Sequence, residues 1–136
     1  MRPNWNDIWI EFAEIIAKRS VDSKYKVGAI VVNSENTQVL SIGYNGDHKG
    51  GPNKRQSDKT GQSGFIHAEI NALIKMDYNN PCNKKMYLTL SPCEVCAKAI
   101  VNAGIDEVYY KEYYENCGDA LNILRDSGIK VSCCVN

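Results

Sequence analysis

The sequence predicts an α/β fold, a mixed sheet of five strands with helices on both faces. Three observations carry the prediction. Apolar residues recur at helical spacing in the opening segment, two extended segments then follow around a short turn, and from there helices and strands alternate. The expected order is α-β-β-α-β-α-β-α-β.

Asn4 or Asn6 caps a first helix in which Ile8, Trp9, Phe12, Ile15 and Ile16 line one face, running to about Ser20. That stripe is expected to pack on the sheet. Val27 to Asn33 and Gln38 to Tyr44 read as strands joined through Ser34-Glu35-Asn36, an antiparallel hairpin that Asn45-Gly46 ends. Asp47 to Phe65 has no apolar period and is punctuated by Gly50, Gly51, Pro52, Gly61 and Gly64. It is expected to be a long loop, and long loops inside compact domains are usually functional or mobile. His67 to about Asp77 reads as a helix with Ile70, Leu73 and Ile74 on its apolar face, and after Pro81 comes a strand from Lys85 to Leu90. Pro92 opens the next helix, since its fixed φ suits a first turn, and Ala103-Gly104 closes it. Strand Glu107 to Tyr110, helix Asp119 to Asp126 and strand Ile129 to Cys134 complete the order.

Length and composition narrow the function classes. A chain of 136 residues with 43% hydrophobic and 24% charged residues fits one globular domain, residues 1–136. Its 16 Lys and Arg balance 16 Asp and Glu, which argues against a protein living by nonspecific nucleic-acid binding. No apolar run approaches the roughly 20 residues of a membrane helix, and Met1-Arg2-Pro3-Asn4-Trp5 does not resemble a signal peptide. A cytoplasmic location without a membrane partner is the expectation. In a reducing compartment the six cysteines, Cys82, Cys93, Cys96, Cys117, Cys133 and Cys134, are expected as thiols or metal ligands rather than as a disulfide framework.

Two segments concentrate the chemistry: His67-Ala68-Glu69 at one helix start and Pro92-Cys93-Glu94-Val95-Cys96 at the next. One imidazole and two thiols suit a catalytic zinc, which takes three protein ligands and keeps a fourth position for water. Both helices follow strands, so their N-termini can converge at one sheet edge, where the positive helix ends favour thiolates. Glu69, two residues beyond His67, is placed to exchange protons at that centre without ligating the metal. The plainer alternatives are a redox Cys-x-x-Cys, which assigns no role to His67 or Glu69, and a closed structural zinc with His48, Cys82 or Cys117 as fourth ligand.

The His-x-Glu and Pro-Cys-x-x-Cys pattern resembles the zinc-dependent nucleobase and nucleotide deaminases. Arg2-Pro3-x-Trp5, Ala17-Lys18-Arg19-Ser20, Lys26-Val27-Gly28-Ala29-Ile30, Gly43-Tyr44-Asn45-Gly46, His67 to Ala72 and Leu90-Ser91-Pro92-Cys93 extend the resemblance over most of the chain, toward the deoxycytidylate (dCMP) deaminase branch. The resemblance implies a cytidine deaminase-like three-layer α-β-α sandwich. It further implies Zn2+ on His67, Cys93 and Cys96, hydrolytic attack at the amine-bearing ring carbon, and Glu69 as proton shuttle. The reaction implied is dCMP and water to dUMP and ammonia, supplying thymidylate synthesis.

Residue by residue, the resemblance implies that Ala68, Ser91 and Pro92 surround the pyrimidine, Val27 forms the pocket wall, and Asn45 and Tyr114 face the sugar and phosphate. Lys24 and Lys26, just before Val27, are the phosphate cations by the same comparison. Glu115 stands where many relatives have a basic residue, and the 47–66 stretch lacks the cysteines of a second metal site. Relatives are commonly homo-oligomers, often hexamers, activated by dCTP and inhibited by dTTP with Mg2+. That implies an effector region at Gly46, Lys49, Asn53 and Lys54. The competing functions are deamination of another nucleoside, a free base or a tRNA adenosine, and a noncatalytic zinc-stabilised nucleotide-binding module. Against the module stands Glu69, which a structural zinc does not need.

Overall fold

The computed structural model describes residues 1–134. Its elements follow the expected order: α1 (Trp5–Ala17), β1 (Gly28–Asn33), β2 (Val39–Tyr44), α2 (Ala68–Lys75), β3 (Lys84–Leu90), α3 (Glu94–Asn102), β4 (Glu107–Glu112), α4 (Ala120–Asp126) and β5 (Lys130–Cys133). A short 3-10 turn at Glu115–Cys117, which no sequence period announced, precedes α4. Asn4, not Asn6, caps α1, its Oδ1 accepting the Asp7 N–H at 2.9 Å. Pro92 lies before the α3 cap rather than inside the first turn; Cys93 is the cap residue.

The strands form one sheet in the order β2-β1-β3-β4-β5. β1 is antiparallel to both neighbours, whereas β3, β4 and β5 are parallel, so β2 to β5 run one way and β1 opposes them. Parallel neighbours need crossovers, and α3 and α4 supply them. In the hairpin, the Asn33 side chain accepts the Thr37 and Gln38 N–H groups at 2.8 and 2.9 Å, while Asn36 takes a positive φ of 61°. Asparagine tolerates that left-handed conformation better than most residues.

Strand alternation divides the core between two faces. Ile30 and Val32 of β1, with Tyr87 and Tyr109, pack under Trp9, Ile10 and Ala13 of α1. Ala29 and Val31, with Met86, Leu88 and Val108, pack under Ala68 and Ala72 of α2, Ala97 and Ile100 of α3, and Leu124 of α4. A glycine allows each helix row to sit against the strands. A Cβ on Gly28 would stand 2.0 Å from the Ala13 carbonyl oxygen of α1, and one on Gly43 would stand 2.4 Å from the Ala68 carbonyl oxygen of α2. The architecture is the three-layer α/β sandwich with a mixed five-stranded sheet. Among the described residues, no helix is long and apolar enough to cross a membrane.

Candidate active site

Because β2 and β3 point the same way on either side of β1, the segments leaving their C-terminal ends arrive at one edge of the sheet. That edge is where open α/β sheets place ligands. α2 starts there after the 47–66 loop, α3 starts there directly after β3, and Val27 enters β1 between them. His67 and Cys93 are the cap residues of the two helices, and neither side chain spends its polar atom on capping. Both remain available for something else.

The ligand atoms of His67, Cys93 and Cys96 lie within 4.8 Å of one another. His67 Nδ1 is 3.2 Å from Cys96 Sγ and 3.5 Å from Cys93 Sγ. Ligands held at about 2.0–2.3 Å by a tetrahedral zinc stand roughly 3.5 Å apart, so the donor set and its spacing fit that ion. Among the described residues this is the one such group of three, and His48, Cys82 and Cys117 stand outside it. The closed structural site with one of them as fourth ligand therefore lacks its geometry.

Proton affinities in the cluster are displaced by its own contacts. The Cys93 thiol is brought down to about 4, chiefly by its hydrogen bond with Cys96 and also by that with His67. Cys96 is pushed up by the same Cys93 bond and by burial. The Cys93 bond raises His67, and burial raises the Glu69 carboxyl. A carboxyl 4% exposed, two residues from His67, is a costly group to bury without a purpose.

His67, Glu69 and Cys93 line a cavity of about 70 Å³ together with Val27, Asn45, Ala68, Ser91 and Tyr114, all expected there from the sequence, while Cys96 is buried behind them. Ser91 Oγ accepts the Tyr114 N–H at 2.7 Å, which seats the aromatic ring beside the pocket, edge-on to Tyr25 with 6.4 Å between ring centroids. Asn45 is buried, and its amide is fully engaged. Oδ1 accepts the Val27 N–H at 2.9 Å, and Nδ2 donates to the Tyr25 carbonyl at 2.7 Å and to Asp22 Oδ2 at 3.2 Å.

Two expectations meet a different placement. Lys24 and Lys26 do not line this cavity; they border a neighbouring depression of about 360 Å³ with Lys18 and Lys111. The reason is local: Lys24 Nζ donates to the Asp58 carbonyl, and the chain from Tyr25 to Val27 is the wall that the two cavities share. Pro92 is buried beneath the α3 cap and is not among the lining residues. Of the tentative effector residues, Gly46 pairs with Ile66 at the root of the loop, Asn53 donates its N–H to Asp47 Oδ2 at 2.7 Å, and Lys49 and Lys54 are exposed.

Asp22, Tyr25, Arg55, Gly61, Ser63 and Leu90 also line the cavity and are not among the site residues expected from the sequence. The unpatterned length of the loop is the one sequence signal that it covers a site. Nothing periodic marks Asp22, a lone acid between helix and strand.

Known proteins with related chains agree with this geometry. Residues 3–112 match the family model described as the cytidine and deoxycytidylate deaminase zinc-binding region. The chain is 36% identical over 114 residues to human deoxycytidylate deaminase, covering 78% of this chain and 64% of the human one. It is 32% identical over 124 residues to the deoxycytidylate deaminase of Mycobacterium phage D29, covering 80% of this chain and 95% of that one. The dCMP deaminase of cyanophage S-TIM5, solved in complex with dCMP and dUMP, superposes with a TM-score of 0.84 at 32% identity, over 98% of this chain and 99% of that one. This chain thus spans less than two thirds of the human protein but nearly all of the phage ones. With the zinc-type donor set, the buried glutamate and the match over residues 3–112 in agreement, the chain belongs to the cytidine and deoxycytidylate deaminase family.

Proposed function

We propose that this chain, acting as one domain, hydrolyses dCMP to dUMP and ammonia, supplying dUMP for thymidylate synthesis. The observation that carries the reading is Glu69, buried in the same small cavity as His67 and Cys93 of the three-residue donor set. The reading is supported by relatives named deoxycytidylate deaminase and by the likeness to a structure holding dCMP and dUMP.

In this proposal His67 Nδ1 and the Cys93 and Cys96 sulfurs hold Zn2+, which when bound acidifies water so that it becomes a nucleophile near neutral pH. Glu69 takes a proton from the attacking water at a carboxylate oxygen and delivers it to the ring nitrogen beside the reacting carbon. It then carries the second proton to the departing amino group. The carbon–oxygen bond forms first, as the ring nitrogen takes its proton; the carbon–nitrogen bond breaks once the amino group is protonated, the hydroxyl becomes the carbonyl, and ammonia leaves. The Ala68 backbone and Ser91 border the base. Val27 and Leu90 supply apolar walls that keep bulk water away from it, and Tyr114 stands beside the sugar. The phosphate is assigned to the mouth of the cavity, on the side of Lys24 and Lys26 in the adjoining depression, which Glu14 and Glu112 also border.

The finer reading is a homo-oligomer, hexameric in the manner of the family, activated by dCTP and inhibited by dTTP with Mg2+. Gly46, Lys49, Asn53 and Lys54 would contact the effector. Gly46 follows the pocket residue Asn45 directly, so a ligand ordering this segment would act on the pocket wall. A cytoplasmic location belongs to the same proposal.

The test is ammonia release by zinc-loaded protein offered dCMP, CMP, deoxycytidine, cytidine and guanine, each with and without Mg2+ plus dCTP or dTTP. Turnover restricted to dCMP and moved in opposite directions by the triphosphates is expected. Turnover of an unphosphorylated compound instead would overturn the substrate, and silence on all five would favour a tRNA substrate or a binding module. Cys93→Ser is expected to lower zinc content, and an unchanged stoichiometry would remove that thiol from the ligand set.

A further inference from the structure

The 47–64 stretch contributes no side chain to either apolar core cluster, yet it roofs the pocket with Arg55, Gly61 and Ser63. Its ends are tied by the Gly46–Ile66 bridge. Its middle is held by Arg55. The guanidinium donates through one terminal nitrogen to both Asp22 oxygens at 2.7 Å, through Nε to the Ser57 carbonyl at 3.0 Å, and through the other terminal nitrogen to the Lys59 carbonyl at 3.2 Å. The Asp22 and Arg55 side chains are only 3% and 7% exposed, so this is a buried ion pair.

Asp22 is the hub. Besides Arg55, it accepts the Lys24 N–H at 2.8 Å and the Asn45 amide at 3.2 Å. One carboxylate therefore joins the loop, the segment entering β1 and the pocket asparagine. Asn45 in turn holds Val27 and Tyr25, two lining residues, by its remaining amide atoms. The guanidinium charge is already matched by Asp22 and two carbonyls, which suits an anchor better than a receptor for a substrate anion.

We propose that Asp22 and Arg55 are a positioning pair. They pin the 47–64 loop as the pocket roof and orient the Asn45 amide, so that they govern how tightly substrate is held rather than the proton transfers at Glu69. The kinetic side of this inference rests on the dCMP reading above, but the structural side does not.

Hydrogen exchange of zinc-loaded, substrate-free protein tests the structural side with Asp22→Asn, Arg55→Met and Arg55→Lys. Faster exchange confined to peptides from 47–64 and 22–27 is expected for the first two and a smaller change for the third, with zinc content unchanged. Unaltered exchange in those peptides would overturn the proposal whether or not any substrate is turned over. On the kinetic side, KM is expected to rise about tenfold or more for dCMP with kcat within about threefold, and the inhibition constants of dUMP and of deoxyuridine are expected to rise by the same factor. The Asp22→Asn/Arg55→Met double variant should be no worse than the poorer single one, because both remove one interaction. A defect confined to the phosphorylated compounds would make Arg55 a direct phosphate ligand instead. A fall in kcat at constant KM would place the pair in the chemistry, and either result would reject the positioning role.

Discussion

The two faces of the sheet are made by the same strands and packed differently. Under α1 the strands present Tyr87 and Tyr109, stacked with 5.0 Å between ring centroids, and Trp9 closes over them with its Nε1 donating to Asn36 Oδ1 at 3.0 Å. Under α2 and α3 the helices meet the strands through Ala68, Ala72 and Ala97, and buried polar groups, Ser41, Glu69 and Ser91, sit in that same layer. Large side chains fill volume. Alanines and Gly43 instead let the helix axes come close, which fixes where His67 and Cys93 stand to within the tolerance a metal centre requires. Both faces bury large apolar side chains, but only the second also places the donor set.

That contrast breaks most sharply at Glu69. Under the proposed function, Glu69→Gln is expected to lower dCMP turnover by about 10²–10⁴-fold, the usual contribution of positioned acid–base groups, with zinc content and the unfolding midpoint near those of the parent. Turnover within a few-fold of the parent would remove Glu69 as proton shuttle. On the opposite face, Trp9→Ala should cost about 3–5 kcal/mol of stability by denaturant titration, with kcat unchanged at temperatures where the variant is folded. A loss of kcat without a loss of stability there would mean that the faces are not separate in role.

A smaller change tests placement directly. Gly43→Ala inserts a methyl where the Ala68 carbonyl oxygen would be 2.4 Å away, so α2 must shift. We expect about 1–3 kcal/mol of destabilisation, measured by urea titration, together with weaker zinc retention. Destabilisation with normal zinc retention would show that α2 moves without disturbing the cluster.

The smallest effect concerns Lys85, a β3 residue whose ammonium donates to Asn36 Oδ1 at 2.6 Å and stands near Glu107 and Lys130. Burial is the main cause holding it below the ordinary lysine value of 10.5. Between its folded value and 10.5 the unfolded chain binds more protons, so stability rises with pH across that window; the penalty is complete below it and absent above it. Lys85→Met should remove this alkaline rise from the difference between the two stability curves. A difference curve flat with pH would show that Lys85 carries its charge at no cost.

How much of this was legible in the sequence follows from the range of the forces involved. The order of helices and strands could be read because apolar periodicity is local, and the hairpin because Asn36 and its neighbours suit a turn. His67, Glu69, Cys93 and Cys96 could be read because each pair is close in sequence and few other chemistries use those residue types at that spacing. Lys24 and Lys26 looked like pocket cations by proximity to Val27, but the path of the chain through Tyr25 turns them into the neighbouring depression.

Asp22 and Arg55 mark the opposite limit. They are 33 residues apart, one between elements and one in an unpatterned loop, and neither has a periodic or motif signature. By itself the sequence determined which segments become helix or strand and which side chains make up the metal-type donor set, since both depend on local pattern and intrinsic chemistry. Only the tertiary structure decided that β1 opposes its neighbours and brings two helix starts to one edge. It alone decided that a buried ion pair closes the loop over them, because burial and charge pairing are set by which distant segments meet.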